Sequence, residues 1–154
     1  MSTSCVCDAG GPTTSRSSPP CSAPTRSRRP GATPGTGDLA DYERAFAAID
    51  ADPRHLLVVA TDRGGPVVGT LQLSFLPGLA RRGAWRGQIE AVHVAASHRG
   101  LGLGGWMIRW AVDESRRRGC GLVQLTSAVE RRDAHRFYER LGFTASHVGF
   151  KLTL

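Results

Sequence analysis

A glycine-rich turn carries the clearest chemical signal in the sequence. Residues 98–105 are His-Arg-Gly-Leu-Gly-Leu-Gly-Gly, and they lie between an apolar stretch that ends at Val94 and a helical pattern that begins near Leu103. Glycine lets backbone N–H groups approach an anion closely because it has no Cβ, and the N-terminus of a helix adds a partial positive charge. The turn is therefore suited to holding a phosphate or pyrophosphate group mainly through its main chain.

Residue types alone leave other interpretations of this turn open. A glycine-rich connection without any ligand is one of them. A dinucleotide site is another, because Gly100, Gly102 and Gly105 satisfy the pattern G-x-G-x-x-G. That kind of site expects an acidic residue about 20 positions further on, whereas the next apolar stretch ends in Leu-Thr-Ser at 125–127. The 49 residues that follow Gly105 are also too few for a doubly wound sheet, and no Gly-Lys-Ser/Thr follows to complete a P-loop.

Hydrophobic periodicity predicts the elements that must position this turn. Apolar residues at helical spacing predict helices, and alternating or short continuous apolar stretches predict strands. In chain order we predict a helix over 39–50, strands over 55–60, 67–75 and 88–94, a helix over 103–118, a strand over 122–127, a short helix over 134–141 and terminal strand material over 143–154. The first two strands form an antiparallel hairpin, and the later strand–helix–strand unit is of parallel type, so the sheet is predicted to be mixed.

Two motifs together resemble one protein family. Val92, His93 and Val94, followed by Arg-Gly-Leu-Gly-Leu-Gly at 99–104, resemble motif A of the GNAT superfamily, whose pattern is Gln/Arg-x-x-Gly-x-Gly/Ala. Residues 134–143, Ala-His-Arg-Phe-Tyr-Glu-Arg-Leu-Gly-Phe, resemble motif B, whose core is A-x-x-F-Y-x-x-x-G-F. The resemblance covers about residues 38–154 and implies an N-acetyltransferase. It also implies an α/β (α+β) fold: a mixed, mainly antiparallel sheet with a parallel strand–helix–strand unit, flanked by helices.

The resemblance implies acetyl-coenzyme A as co-substrate, and no metal. The N–H groups of residues 99–104 would bind the coenzyme A pyrophosphate, and the exposed edge of residues 92–94 would pair with pantetheine. The implied cofactor-binding residues are Val92, His93, Val94, Arg99, Gly100, Leu101, Gly102, Leu103, Gly104 and Gly105.

Acetyl transfer to an amine needs a proton acceptor and a proton donor. An alkylammonium group has a pKa of about 10, so it must lose a proton before the nitrogen attacks. Glu90 is a candidate base acting through water, since family members often carry an acid on this strand; an exposed carboxylate or an ion pair is the alternative. Tyr138 aligns with the tyrosine that protonates the thiolate in many family members. Its alternative is a core tyrosine, because it lies on one apolar stripe with Ala134, Phe137 and Leu141.

One position departs from the family pattern. Many members carry an asparagine seven residues before this tyrosine, where it helps to hold the cofactor, whereas this chain has Arg131. Arg131 contacts a phosphate or is simply solvated, and the sequence leaves both open. We interpret His93, His98 and His135 as surface or packing residues rather than bases.

Composition divides the chain near residue 38. The first 37 residues contain no Leu, Ile, Phe, Tyr or Trp, so they cannot bury enough apolar surface to offset the entropy of ordering them. We therefore predict that residues 1–37 are a disordered or non-homologous N-terminal segment, which lacks the family's first strand, and that residues 38–154 form the acetyltransferase domain. An ordered strand within residues 1–37 would contradict this prediction.

The composition of the whole chain argues against a nucleic acid or a membrane as its partner. The chain has a net charge of +7, but its arginines are scattered and Lys151 is its only lysine, so a nucleic-acid surface is not expected. No run of about 18 apolar residues predicts a membrane span. We expect a cytoplasmic enzyme that acetylates a primary amine of a small molecule or peptide by direct attack. The resemblance also allows a homodimer, which is common in the family. The alternative is a catalytically impaired GNAT-like domain that binds the cofactor.

Overall fold

The computed structural model describes residues 5–8, of which only the backbone is considered, together with residues 39–63 and 65–154. The elements in chain order are β1 (Cys5–Asp8), α1 (Leu39–Ala51), β2 (His55–Thr61), β3 (Val67–Leu76), the short turn α2 (Ala80–Gly83), β4 (Arg86–Val94), a 3₁₀ turn (Ala96–His98), α3 (Leu103–Arg117), β5 (Leu122–Leu125) and α4 (Arg132–Arg140). The helices and strands predicted between residues 39 and 141 are confirmed, with ends that shift by a few residues.

The strands form one mixed sheet in the order β1-β2-β3-β4-β5. β2, β3 and β4 pair antiparallel, and β4 pairs parallel with β5 through the crossover helix α3. The predicted hairpin, parallel unit and mixed sheet are confirmed. The hairpin closes with the N–H of Asp62 donating to the carbonyl oxygen of Pro66 at 3.1 Å.

The core lies between one face of this sheet and α3. Side chains alternate along each strand, so every second residue faces the helix, and the fully buried side chains include Val58, Leu71, Leu73, Ile89, Met107 and Ile108. The helix comes very close to β4 at Gly87, where an added Cβ would lie 2.4 Å from Oγ of Ser115. The side chain of Arg118 holds the other end of α3: its guanidinium lies 4.1 Å from the centre of the Phe75 ring and donates to the carbonyl oxygen of Pro53 at 2.8 Å.

The segment predicted to be disordered contributes a strand. β1 pairs parallel with β2, from Cys5 opposite Val58 to Asp8 opposite Thr61. For these four residues the structure differs from the prediction, because backbone pairing with β2 needs no apolar periodicity in the sequence. The remainder of residues 1–37 lies outside the described residues, so the domain boundary at residue 38 stays a prediction.

The predicted terminal strand over 143–154 is wrong. This segment follows α4 without regular secondary structure, and Val148, Phe150 and Leu152 are each at least 80% exposed. Alternation of apolar residues predicted a strand, but a strand also requires a partner, and no described strand pairs with this segment. The apolar residues of α1 are also poorly covered, since Leu39, Tyr42 and Phe46 are 44–56% exposed.

Candidate active site

The edge of β4 that faces β5 has no described strand as its partner beyond Ile89, and we refer to the space beside this edge as the cleft. β5 pairs with β4 only between Arg86 and Ile89, while β4 continues to Val94 along its other neighbour, β3. Beyond Ile89, no described strand pairs with the β5 side of β4. The backbone N–H groups on this side of β4 are therefore available to a ligand that can pair like a strand, whereas the carbonyl oxygen of Val94 already accepts from Nε of Arg99.

A bulge interrupts β4 within this cleft. Thr70 lies opposite His93 and Gln72 opposite Glu90, so a step of two residues on β3 matches a step of three on β4. Ala91 holds a φ of 50°, which is rare for alanine, and its carbonyl oxygen accepts from the hydroxyl of Thr70 at 3.4 Å. Because residues opposite one another share a face, the bulge places Glu90 and His93 on the same face of the sheet. No residue type predicts this bulge, because alanine is not typical of such a conformation.

The glycine-rich turn leads from the cleft into α3. Gly100 and Gly102 hold φ values of 77° and 84°, which favour glycine, and a Cβ at either residue would meet no atom within 4 Å. Gly102 is the N-cap of α3 and no side chain caps this helix end. The first N–H groups of a helix have no partner within it. The turn therefore presents uncapped donors beside open space, as a phosphate group requires.

Two contacts attach this turn to its surroundings. Nε of Arg99 donates to the carbonyl oxygen of Val94 at 3.0 Å, which fixes the turn to the end of β4. Gly104 faces both β4 and α4, because a Cβ there would lie 3.5 Å from Cζ of Phe137 and 3.6 Å from Cγ2 of Val94. The predicted cofactor residues at 92–94 and 99–105 are thus brought together at the mouth of the cleft.

Glu90 is exposed and forms no ion pair with a described residue. Its carboxylate is therefore accessible to water and to an incoming amine. The described part of the chain does not support the alternative in which an arginine neutralises this carboxylate.

Tyr138 packs in the apolar stripe of α4 and carries a hydroxyl group. Its ring packs edge-on against Phe137 and Phe143, with ring centres 5.1 and 6.0 Å away. Burial raises the pKa of its hydroxyl, and the positive charge of Arg131 lowers it in part. The ring thus belongs to the apolar stripe, while the hydroxyl stays protonated at neutral pH and can donate a proton.

The three histidines near the site differ in their surroundings. Nε2 of His135 lies 2.9 Å from the carbonyl oxygen of Ala128, just before α4. Nε2 of His98 lies 3.7 Å from a carboxylate oxygen of Asp62, and His93 is exposed on the bulged strand. Within residues 39–63 and 65–154, no group of three or more His, Cys, Asp or Glu side chains could hold a metal ion.

Sequence comparison agrees with this geometry. The family model described as "Acetyltransferase (GNAT) family" matches residues 25–143. The chain belongs to the GNAT acetyltransferase family. The match spans the cleft, the glycine-rich turn and α4, and it begins inside the segment that composition had separated from the domain. The GNAT family uses acetyl-coenzyme A as co-substrate, so this GNAT chain is an acetyl-coenzyme A dependent N-acetyltransferase.

Three relatives illustrate the similarity. The aminoalkylphosphonate N-acetyltransferase of Salmonella typhimurium is 36% identical over 117 residues, which cover 76% of this chain and 75% of that protein. The glucosamine 6-phosphate N-acetyltransferase of Trypanosoma brucei brucei is 39% identical over 90 residues, or 58% of this chain and 59% of that protein. The crystal structure of a transcriptional regulator from Bacillus halodurans C-125 has a TM-score of 0.73 and 44% identity, covering 75% of this chain and 76% of that one.

No helix in the described residues is long and apolar enough to cross a membrane.

Proposed function

We propose that this GNAT enzyme transfers the acetyl group of acetyl-coenzyme A to a primary amine of a small molecule by direct attack. In the described structure, the observation that carries the proposal is the unpaired edge of β4 beyond Ile89, which is followed along the chain by the glycine-rich turn and the uncapped N-terminus of α3. Coenzyme A has an arm with two amide groups, which suits the strand edge, and a pyrophosphate, which suits the helix N-terminus.

Binding of the donor rests on main-chain groups. The N–H groups of residues 99–105 would hold the pyrophosphate, and the edge of residues 92–94 would pair with the amides of pantetheine. The thioester of the donor supplies the acetyl group and a thiolate leaving group. A backbone N–H of the same edge would polarise the thioester carbonyl, since donors aimed at a developing oxyanion lower the barrier.

Glu90 is the proposed base. It accepts one proton from the substrate ammonium through a water molecule, and the neutral nitrogen then attacks the carbonyl carbon. A C–N bond forms and the carbonyl π electrons move to oxygen. The nitrogen then releases its second proton to water, and the electrons on oxygen return to carbon as the C–S bond breaks. An exposed carboxylate suits this role because it can release the proton to solvent after each turnover.

Tyr138 is the proposed acid. Its hydroxyl donates a proton to the departing thiolate, which leaves as the thiol of coenzyme A, and the phenolate recovers a proton from solvent. Phe137 of the same helix contacts the turn at Gly104, so α4 is packed against the mouth of the cleft. This packing supports a position for the next residue, Tyr138, near the reacting sulfur.

The names of two relatives suggest which acceptors to try first. Aminoalkylphosphonates and glucosamine 6-phosphate are both compact primary amines that carry an anionic phosphorus group. A net charge of +7 favours the approach of such anions. We therefore propose a small anionic amine as acceptor, in preference to a peptide. A homodimer and a cytoplasmic location stay predictions from the sequence.

The alternative of a catalytically impaired domain has less support from the structure than from the sequence. That alternative rested on a missing first strand and on the uncertain identity of the base. β1 pairs with β2 in the structure, while the role of Glu90 as the base stays a proposal. It would regain support only if the folded protein bound acetyl-coenzyme A without acetylating any amine.

The test is turnover measured by mass spectrometry of the acetylated product, with aminoalkylphosphonates, glucosamine 6-phosphate and a lysine peptide as acceptors. Tyr138→Phe should lower kcat by about 100-fold or more, as expected for loss of a general acid, and Glu90→Gln should lower it similarly. Tyr42→Phe and Glu139→Gln change exposed residues of the same types and should leave kcat unchanged. Wild-type turnover by Tyr138→Phe would remove the tyrosine from the mechanism.

A further inference from the structure

Arg131 and Tyr138 lie on one side of α4. Arg131 is the N-cap of this helix and Tyr138 follows seven residues later. Seven residues make almost two full turns, so the two positions differ by only about 20° around the axis and by about 10 Å along it. Helical side chains lean toward the N-terminus, which brings the Tyr138 ring toward the first turn of the helix. A long arginine side chain can span the remaining distance.

Three other polar or charged residues of α4 are engaged elsewhere or lie on another side of the helix, and Glu139 and Arg140 are exposed at its C-terminal end. Arg136 forms an ion pair with Asp133, and Nε2 of His135 lies 2.9 Å from the carbonyl oxygen of Ala128. Arg132 is about 120° away from Tyr138 around the helix. The rings packed against Tyr138 belong to phenylalanines, which carry no charge.

The surface at this end of α4 leaves space beside Arg131. Residues 130–134 line a shallow cavity there, and Arg131 is exposed within it. The positive charge of Arg131 lowers the pKa of the Tyr138 hydroxyl, against the larger effect of burial. The positions of the two residues on α4 and this electrostatic effect both put the positive charge of Arg131 on the side of the helix that carries the phenol.

We propose that Arg131 is an electrostatic positioning residue for Tyr138, holding a positive charge beside the phenolate that remains when Tyr138 gives up its proton. The inference rests on the proposed role of Tyr138 as the acid. Arg131 neither gains nor loses a proton, because a guanidinium stays charged at any working pH. It makes the transfer from the tyrosine oxygen to the thiolate less costly by stabilising the charge left on that oxygen.

The first experiment observes the tyrosine itself, without acetyl-coenzyme A. The chain contains two tyrosines, so Tyr42→Phe protein labelled with 3-fluorotyrosine carries fluorine at residue 138 alone. The fluorinated phenol is more acidic than tyrosine, so ¹⁹F NMR can follow its titration while circular dichroism confirms that the protein stays folded. Adding Arg131→Gln should raise the pKa of this phenol. Arg131→Lys should keep most of the effect, and Arg132→Gln, which removes the same charge one residue away, should not change it.

The second experiment measures catalysis. Arg131→Gln should lower kcat roughly three- to tenfold, the effect of one unit charge several ångströms away in a partly solvated site, with little change in KM for acetyl-coenzyme A. In a Tyr138→Phe background the same substitution should have no further effect on kcat, because the group it acts through is gone.

The outcomes separate this inference from the proposed function. Equal titration in Arg131→Gln and Arg132→Gln would overturn the pairing, and so would an unchanged titration accompanied by weaker acetyl-coenzyme A binding, which would make Arg131 a phosphate ligand instead. A specific shift in the titration combined with full activity of Tyr138→Phe would confirm the pairing and contradict the role of Tyr138 as the acid.

Discussion

Two glycines at opposite ends of α3 allow a controlled test of the anion site. Gly102 and Gly119 hold φ values of 84° and 74°, and a Cβ at either position would meet no atom within 4 Å. Gly102→Glu and Gly119→Glu therefore impose the same backbone strain and add the same charge. Only Gly102 lies in the proposed pyrophosphate cradle, so only Gly102→Glu should weaken binding of acetyl-coenzyme A.

The expected stability changes are similar but not identical. A non-glycine residue in the left-handed region costs about 1–2 kcal/mol, which corresponds to a Tm lower by roughly 2–8 °C in a domain of this size. The helix dipole favours a carboxylate at the N-terminus and disfavours one at the C-terminus by about 0.3–1 kcal/mol each. Gly102→Glu should therefore be the more stable of the two variants, although it binds less well.

The expected loss of affinity follows from charge. Two unit charges about 4 Å apart in a water-like medium interact by about 1 kcal/mol, so a carboxylate beside two phosphate charges should weaken binding by roughly tenfold or more. Gly119 lies beyond the other end of a 15-residue helix, about 22 Å away, and salt screens a charge at that distance. Its substitution should leave the affinity unchanged.

Isothermal calorimetry at 0.15 M salt, with thermal melting of each variant, measures both effects. Wild-type affinity in Gly102→Glu would refute the assignment of the turn to the pyrophosphate. Equal losses of affinity in the two variants would show that strain in α3, rather than the cradle, controls binding.

Three further predictions concern stability. Gly87→Ala places a Cβ 2.4 Å from Oγ of the buried Ser115. Urea denaturation should therefore show a free energy of unfolding that is lower by about 1–3 kcal/mol. Adding Ser115→Gly removes the clashing atom and should recover part of this loss. Arg54 lowers the pKa of Asp52 to about 2. The ionised carboxylate should therefore stabilise the fold above about pH 4, and this effect should be lost as the pH falls toward 2. Differential scanning fluorimetry should show a smaller fall in Tm across that range for Asp52→Asn than for the wild type. Arg118→Ala removes the ring contact, the hydrogen bond to the carbonyl oxygen and the hydrogen bond from Nε to Oε1 of the buried Glu114 at the end of α3. It should lower the urea midpoint by an amount equivalent to about 2–4 kcal/mol.

The sequence predicted the elements whose side chains face a core. The alternation in β2 and β3 and the helical stripe of α3 arise from burial, so the same pattern that stabilises the fold also reveals it. The conformation of the glycine-rich turn was predictable for a related reason, since Gly100 and Gly102 occupy the left-handed conformation that glycine adopts most readily.

Features that depend on backbone pairing were not predictable in the same way. β1 is joined to β2 by main-chain hydrogen bonds, which leave no trace in composition. The bulge at Ala91 follows from the register between β3 and β4, and no residue type marks it. The segment 143–154 shows the opposite case, because its alternating apolar residues predict a strand that has no partner in the described structure.

The short ladder of backbone pairs between β4 and β5 affects local unfolding. Four residue pairs join these strands, from Arg86 opposite Leu122 to Ile89 opposite Leu125, so only a short ladder attaches the part of the chain from β5 onward to the sheet. Sub-global opening should begin there, and the amides of β5 should exchange with deuterium faster than those of β3, which is paired on both sides. Acetyl-coenzyme A bound in the cleft would stabilise the folded arrangement of β4 and β5. Protection of the β5 amides against exchange should therefore increase with the concentration of acetyl-coenzyme A.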